Sequence, residues 1–253
     1  MNILITNDDG IRSAGLHSVA EALQSIGDVY VLAPDRNWSV ASHAKTLDNP
    51  LKVRDYYLPK INNAFTSNGS PADCALLGVS GVLGVSIDVV VAGINTSNNL
   101  GYDVHYSGTI AAAAEATIQG VPSVAMSTLF NQDIGYDPAA KVALVVVDQV
   151  IERGLPSDTL LNVNVPTVKY DQIKGVKITR QANSRHHQDE LVDFTDPYGN
   201  KFYWIGGKPH NDPDNIDTDI GAVANLYVSV TPIKLNRSSD YFTTELVKWD
   251  LNL

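Results

Sequence analysis

A run of four apolar residues, Val89 to Ala92, constrains the fold of this chain more than any other feature. The run lies between Asp88 and Gly93 and is too short to form a helix of its own. A short, fully apolar segment of this kind is typical of a strand that is buried on both faces, as in a parallel sheet. The run therefore predicts a sheet that is covered by helices on both sides.

The first half of the chain alternates strand and helix patterns around that run. We predict strands over 2–6, 28–33 and 123–126, and helices over 16–26 and 109–119. Strand–helix–strand units of this length are typical of a doubly wound, mostly parallel sheet. The predicted fold class is therefore α/β, with a Rossmann-like sheet.

The second half of the chain differs in character. A helix over about 138–152 and a strand over 160–165 are followed by a polar, aromatic stretch over 181–219. That stretch predicts an extended C-terminal hairpin, or arm, within about 181–240 of a single domain spanning 1–253. Such an arm commonly packs on another subunit, so a homodimer or homotetramer is expected.

Composition excludes several classes of protein. Lys and Arg total 18 against 28 Asp and Glu, a formal net charge of −10 that argues against a nucleic-acid binder. The one cysteine, Cys74, excludes an intramolecular disulfide and a multi-cysteine zinc site. No apolar run approaches the roughly 18 residues of a membrane helix, and the first residues do not resemble a signal peptide. We therefore expect no membrane association and a cytoplasmic location.

The first predicted strand ends at two adjacent carboxylates, Asp8 and Asp9. In an open parallel sheet, ligands bind at the carboxyl ends of the strands, near the point where the strand order reverses. Two neighbouring carboxylates repel each other, so a cation between them would be stabilising. The segment Asn-Asp-Asp-Gly is equally typical of an ordinary turn, and by itself it leaves both interpretations open.

Two further loops favour a cation site over an ordinary turn at Asp8 and Asp9. Ser39 follows the second strand and Asn95 follows the apolar run, so both are predicted at the same edge as Asp8 and Asp9. Two carboxylates, a hydroxyl and a carboxamide form an all-oxygen site. The sequence therefore predicts one divalent ion, Mg²⁺ or Mn²⁺.

Ser107, Gly108 and Thr109 stand directly before an Ala-rich helix. The N–H groups and the dipole at a helix start attract anions, and a glycine lets a ligand approach the backbone closely. An N-cap at Ser107 or Thr109 is the alternative, and the two roles are compatible. With a cation nearby, we predict a phosphate site here, with Asn99 as a further contact.

Several motifs occur together in one order along the chain. They are ITNDDG (5–10), APDRNWS (33–39), NGSPADC (68–74), GIN (93–95), NLGYD (99–103), YSGT (106–109), TDIGAV (218–223) and YVSVTP (227–232). In this order they resemble the stationary-phase survival protein SurE family of metal-dependent 5′/3′-nucleotidases. The chain departs from the family pattern at Val40 and Ser97, where glycine is usual, and at Ala92 and Ala116.

The resemblance implies a 5′-nucleotidase that removes phosphate from nucleoside 5′-monophosphates, and from 3′-monophosphates too, with short polyphosphates as a possible side activity. It implies metal binding by Asp8, Asp9, Ser39 and Asn95, and phosphate binding by positions 107–109. The alternative is a non-enzymatic stress or scaffold protein that binds metal for structure alone. A Rossmann dehydrogenase is disfavoured, because no G-x-G-x-x-G follows the first strand.

The roles in catalysis are less tightly fixed by the sequence. The nucleophile is either a water made acidic by the cation, which we favour, or Asp8 itself. His43 follows the metal loop and is a candidate general acid, although a purely structural hydrogen bond is the alternative. His186 and His187 lie in the polar arm, where we expect them to be solvated or to reach a partner's site.

Overall fold

A nine-stranded sheet forms the centre of the fold, and a two-stranded hairpin is separate from it. The computed structural model describes residues 1–251, residue 188 by its backbone alone. In chain order the strands are β1 (Asn2–Thr6), β2 (Asp28–Pro34), β3 (Val53–Asp55), β4 (Asn63–Ser67), β5 (Val89–Asn95), β6 (Ser123–Thr128), β7 (Thr159–Val165), β8 (Val176–Ile178), β9 (His187–Thr195), β10 (Lys201–Pro209) and β11 (Val228–Lys234). The helices are α1 (Ala14–Leu23), α2 (Pro71–Val79), α3 (Gly108–Ile118), α4 (Asp137–Arg153), α5 (Asp219–Ala224) and α6 (Asp240–Leu246).

The strand order of the sheet is β3-β4-β2-β1-β5-β6-β7-β11-β8. The six strands from β4 to β7 are parallel to their neighbours, whereas β3 and β11 run antiparallel to β4 and β7. From β1 the chain adds strands on one side, and from β5 it adds them on the other. The carboxyl ends of β1 and β5 therefore flank the point where the strand order reverses, which confirms the predicted doubly wound α/β class.

Alternating side chains of β1 contact helices on opposite faces of the sheet. Ile3 and Ile5 pack in a buried cluster with residues of α1 and α4, such as Leu16 and Val147. Leu4 packs on the other face, in a cluster that includes Cys74 of α2. All seven residues of β5 are buried, as expected for a strand covered on both sides.

The arm begins as a hairpin and ends in the main sheet. β9 pairs with β10 in antiparallel register from His187↔Pro209 to Thr195↔Lys201. The backbone N–H of His210 donates to the carbonyl of His186 and closes the base of the hairpin. The rest of the predicted arm range includes α5 and β11, which pairs with β7.

β5 is longer than the sequence predicted. The apolar run ends at Ala92, but the strand continues to Asn95 through a register shift against β6. Asn95 is therefore the last residue of a buried strand rather than part of the following loop. Among the helices described over residues 1–251, none combines the length and the apolar character needed to cross a bilayer.

Candidate active site

Asn7 closes the loop after β1, which leaves the two carboxylates that follow free for other partners. Its side chain accepts a hydrogen bond from the N–H of Gly10 and donates one to the carbonyl of Gly10, both at 3.1 Å. Gly10 has a φ of +94°, a conformation that favours glycine. Because Asn7 and Gly10 form the turn, Asp8 and Asp9 are not needed for it.

A cavity of about 300 Å³ opens beside this turn. Of the residues predicted for the site, it is lined by Asp8, Ser39, Asn95, Asn99 and Ser107. These come from the ends of β1, β2 and β5 and from the start of α3. The structure thus brings together residues from four separate segments of the chain.

Asp8 is almost fully buried, with 3% of its surface exposed. Its Oδ1 accepts a hydrogen bond of 2.6 Å from the hydroxyl of Thr109, and its backbone carbonyl accepts one from the N–H of Trp38. Burial raises the pKa of the Asp8 carboxyl to about 6, and the nearby charge of Asp9 adds to the increase, although the Thr109 hydrogen bond opposes it. The fold therefore positions this carboxyl firmly but only partly offsets the cost of burying its negative charge.

Asp9 lies next to Asp8, and its side chain is only partly satisfied. Oδ1 accepts a long hydrogen bond of 3.4 Å from Thr96, and Oδ2 is buried without a partner among the described residues. Burial also raises the pKa of the Asp9 carboxyl. A buried carboxylate oxygen without a donor is costly unless a cation or a water reaches it.

Asn95 and Ser39 complete the set of oxygen donors. The Nδ2 of Asn95 donates to the carbonyl of Ser97 at 2.9 Å, which leaves Oδ1 as the ligand atom of that side chain. Ser39 is exposed, and its N–H donates to Asn37. The backbone bond from Trp38 to Asp8 holds the Ser39 loop against the end of β1.

These four residues fit a hard divalent cation. The two adjacent carboxylates, of which Asp8 is buried and Asp9 partly buried, form no ion pair with a basic side chain in the described part of the chain, and one of their oxygens has no donor. The remaining donors are an amide and a hydroxyl oxygen, which suit Mg²⁺ or Mn²⁺. Residues 1–251 contain no cluster of three or more His, Cys, Asp and Glu side chains suited to a metal ion, so a site here depends on Asn95 and Ser39 as well.

The start of α3 lies directly against Asp8. A Cβ on Gly108 would be only 2.7 Å from the Cβ of Asp8, so glycine is required for this close approach. Ser107 is the N-cap, and its hydroxyl accepts from the N–H of Ile110. The hydroxyl of Thr109 donates to Asp8 at 2.6 Å, and its backbone N–H also hydrogen bonds to that carboxyl, so both groups of this residue hold Asp8 in place.

Asn99 is buried in a network of amides behind the cavity. Its side chain donates to the hydroxyl of Ser127 at 2.7 Å, and its N–H donates to Asn164. Asn162 and Asn164 both donate to its carbonyl. This network fixes the position of Asn99 at the cavity wall.

His43 is held outside the group of residues that line the cavity. Its Nε2 is 3.0 Å from a carboxylate oxygen of Glu115 in α3, and Lys45 pairs with the same carboxylate. Neither His43 nor Glu115 is among the described residues that line the cavity. The geometry matches the structural alternative for His43 more closely than the catalytic one.

The base of the hairpin supplies cavity residues that the sequence did not indicate. Arg185 lines the cavity, donates to the hydroxyl of Tyr106 at 2.6 Å and forms an ion pair with Asp189. His187 also lines it, with its Nδ1 2.9 Å from the carboxylate of Asp103. No local pattern indicates these contacts, because the partners are about 80 residues apart in the chain.

The expectation that His186 is solvated was wrong. Only 7% of its surface is exposed, and its Nδ1 hydrogen bonds to the carbonyl of His210. The hairpin base folds over this ring, because His186 and His210 face each other where the two strands meet. His187 is exposed, but it reaches the cavity of its own chain.

The fold and the site together define an α/β protein with an oxygen-lined cavity and a helix start at the strand-order reversal. The sequence model of the family described as "Survival protein SurE" matches residues 3–188. The chain belongs to the SurE family, which confirms the resemblance seen in its motifs.

Curated relatives cover the whole chain. The "5′-nucleotidase SurE" of Geotalea uraniireducens (strain Rf4) is 42% identical over 252 residues, which is 99% of this chain and 100% of that protein. The protein of the same name from Aquifex aeolicus (strain VF5) is 43% identical over 92% of each chain. A crystal structure of the SurE protein from Aquifex aeolicus superimposes with a TM-score of 0.85 at 41% identity, over 98% of both chains.

Proposed function

We propose that this chain is a metal-dependent 5′-nucleotidase that hydrolyses nucleoside 5′-monophosphates, and 3′-monophosphates as well, to a nucleoside and phosphate. The observation that carries the proposal is the pair of adjacent carboxylates, buried Asp8 and partly buried Asp9, beside the amide end of α3. A metal-binding scaffold would need the carboxylates but not an open cavity with an anion site next to them. The name of the relatives, 5′-nucleotidase, supports the same activity.

Asp8, Asp9, Ser39 and Asn95 would hold one divalent ion, Mg²⁺ or Mn²⁺. When bound, this ion supplies positive charge that offsets the charge on the phosphoryl oxygens and polarises them. Thr109 orients Asp8 through its hydroxyl, and the contact with Gly108 prevents the carboxylate from moving towards α3. A carboxylate fixed in this way is suited to binding a cation, so we assign the attack on phosphorus to water rather than to Asp8.

The start of α3 would bind the phosphate. The N–H of Gly108 belongs to the first turn, where helical partners are lacking, and the helix dipole favours negative charge there. Thr109 would contribute indirectly, because its hydroxyl and its N–H both hold Asp8 beside the phosphate. Asn99 and Ser107 line the same cavity. Together these groups would hold the phosphoryl oxygens while charge develops on them, which is the effect of a preorganised anion hole.

We assign His187, rather than His43, as the group that donates a proton to the leaving oxygen. His187 lines the cavity, and Asp103 holds its ring through Nδ1, which leaves Nε2 directed elsewhere. We expect His187→Gln to lower kcat for AMP by about 10²–10⁴-fold but to affect p-nitrophenyl phosphate little, since that leaving group departs without a proton. Equal effects on both substrates, or a larger effect of His43→Gln on AMP, would contradict this assignment.

Release of phosphate from nucleoside monophosphates tests the proposed function. We expect turnover with Mg²⁺ or Mn²⁺, none with EDTA, and a loss of at least about a hundred-fold in Asp8→Asn. The matched control is Asp148→Asn on the exposed side of α4, which should behave as the wild type. Metal binding without any phosphate release would favour the scaffold alternative.

The other expectations about this chain remain predictions. They are activity on short polyphosphates, a homodimer or homotetramer, and a cytoplasmic location. The hairpin has exposed apolar side chains, including Leu191 and Trp204, which is consistent with contacts to another subunit.

A further inference from the structure

A cavity at the edge of the main sheet lies apart from the proposed active site. Its volume is about 220 Å³, and it opens between the end of β2 and the ribbon formed by β3 and β4. Its described lining shares no residue with the cavity that contains Asp8. The side chains of this lining are all polar or charged, and they belong to Asp35, Lys52, Arg54, Thr66, Ser67 and Asn68. A cavity with this lining favours a polar ligand.

Two basic side chains lie on one face of the β3–β4 ribbon. Val53 packs in the buried cluster on the α2 side of the sheet, so its neighbours Lys52 and Arg54 project from the opposite face. Across the ribbon, Arg54 is opposite Thr66, and the N–H of Lys52 donates to the side chain of Asn68 at 2.7 Å. The pairing of the two strands therefore keeps both cations on the cavity side.

The fold does not neutralise these two cations. Among the described residues, Lys52 and Arg54 form no ion pair with a carboxylate. Asp35 is the one acidic residue of the described lining, and its carboxylate pairs with Arg36 at 3.6 Å. The cavity thus carries a net positive charge in a chain whose formal net charge is −10. Neighbouring cations repel each other, so an anion between them would be stabilising.

We propose that this cavity is a second anion site, separate from the active site, and that it binds free phosphate. The guanidinium of Arg54 and the ammonium of Lys52 can both donate charge-assisted hydrogen bonds to phosphate oxygens. The Nδ2 of Asn68 has only a long bond of 3.5 Å to a carbonyl, so it can donate to the same ligand. Sites for drug-sized ligands begin at roughly 300 Å³, so this smaller cavity fits a single oxyanion better than a nucleotide.

One short loop connects this cavity to the proposed metal site. Asp35 begins the loop, and its N–H donates to the carbonyl of Ser67 at 2.7 Å. The loop carries Ser39, and the N–H of Trp38 donates to the carbonyl of Asp8 at 2.8 Å. Phosphate in the cavity would repel the Asp35 carboxylate, and the loop would transmit the resulting shift to Ser39. This consequence rests on the proposed function: phosphate, the product, would lower kcat from outside the active site.

Isothermal titration of inorganic phosphate into the metal-free protein, in EDTA, tests the site without substrate or metal. We expect Lys52→Met and Arg54→Gln each to raise the Kd for phosphate by about tenfold or more, the effect of losing one charged hydrogen-bond donor. Asp35→Asn should lower the Kd several-fold, because it removes the one acidic group of the described lining. The two kinds of substitution are thus expected to act in opposite directions.

Lys60→Met and Asp55→Asn are the matched controls for these substitutions. They make the same changes of charge at exposed residues outside the cavity. We expect neither control to change the Kd by more than about twofold, because solvent screens charges outside the site. Circular dichroism checks that each variant folds. A wild type that does not bind phosphate, or controls that alter the Kd as much as the cavity variants do, would overturn the site.

The kinetics of phosphate inhibition test the regulatory consequence. Competition with AMP at the active site raises KM and leaves kcat unchanged, whereas phosphate in the second cavity should lower kcat at saturating AMP. We expect this loss of kcat in the wild type and in Lys60→Met, but not in the double variant Lys52→Met with Arg54→Gln. Purely competitive inhibition of the wild type would overturn the regulatory role. A wild type that is inactive without added phosphate would contradict the proposed function instead.

Discussion

At the scale of single residues, the site combines two side chains that a folded protein would otherwise avoid placing together. Asp8 and Asp9 are adjacent and substantially buried, and burial raises the pKa of both. Thr109 offsets part of this cost for Asp8, and Thr96 does so weakly for Asp9. The remaining cost lowers the free energy of unfolding, as expected if the proposed cation site is kept at the expense of stability.

The first prediction is that Asp8→Asn stabilises the metal-free protein at high pH. The pKa of Asp8 is about 6 in the folded state and 3.8 in the reference state, so the folded state binds the proton more tightly. The wild type therefore loses stability as pH rises between about 4 and 6, and the loss is complete above that window. Asparagine carries no charge, so the variant should be more stable by roughly 1–3 kcal/mol at pH 8 and nearly unchanged at about pH 3.5, below both pKa values.

Thermal unfolding in EDTA at the two pH values measures this difference. Asp148→Asn should alter neither melting temperature, because Asp148 is exposed on α4. Adding Mn²⁺ at pH 8 should raise the melting temperature of the wild type but not that of Asp8→Asn. A variant that is less stable than the wild type at pH 8 would show that the Asp8 charge is not a cost to the fold.

The sequence alone identified most of this residue-level picture. Asp8, Ser39 and Asn95 were predicted together because the carboxyl ends of parallel strands meet at one edge. The hydrogen bond from Thr109 to Asp8 was not predictable, since the two residues are 101 positions apart. At one departure from the family pattern, Val40, the backbone has a φ of +61°, a conformation that the usual glycine would adopt without strain, and nothing in the structure explains the valine.

At the scale of elements, the loop after β2 is held in place from α3. Val40 and Ser42 both have positive φ values, so this loop is strained next to Ser39. Ser42 is hydrogen bonded to the backbone of residues 105 and 106. Buried Glu115 of α3 binds both His43 and Lys45.

The second prediction is that Glu115→Gln loosens this loop and weakens metal binding. The change removes one buried charge that contacts both His43 and Lys45, so we expect the free energy of unfolding to fall by about 1–3 kcal/mol. Isothermal titration with Mn²⁺ should give a Kd several-fold higher than the wild type, because Ser39 is less well positioned. In the control, Glu21→Gln breaks the exposed pair with Lys60 and should change neither quantity measurably. An unchanged Kd for Mn²⁺ in Glu115→Gln would show that Glu115 contributes to stability but not to metal binding.

The element boundaries show where sequence patterns are insufficient. The buried run at 89–92 predicted β5 correctly, but the strand extends to Asn95, because Gly93, Ile94 and Asn95 are also buried. β3 and β8 have three residues each and partly exposed side chains, so they give no apolar pattern to detect. They are defined by pairing with β4 and β11 rather than by their own sequence.

At the scale of the whole molecule, the proposed active-site cavity depends on segments from both halves of the chain. The strand ends and α3 contribute the proposed metal and phosphate site, and the hairpin base contributes Arg185 and His187 to the same cavity. The sequence predicted the hairpin from its composition but not where its base would lie. That position depends on long-range contacts, such as the hydrogen bond between Arg185 and Tyr106, which local sequence patterns do not predict.

The third prediction concerns the cation on which the whole account depends. Crystals grown with Mn²⁺ and measured near the manganese absorption edge locate the ion directly by its anomalous scattering. We predict one strong peak per chain, within about 2–2.5 Å of oxygen atoms from Asp8, Asp9 and Asn95, with Ser39 beside it. Crystals of Asp8→Asn grown in the same way should lack the peak. A wild-type map without a peak at these residues, or with manganese bound only elsewhere, would contradict the account.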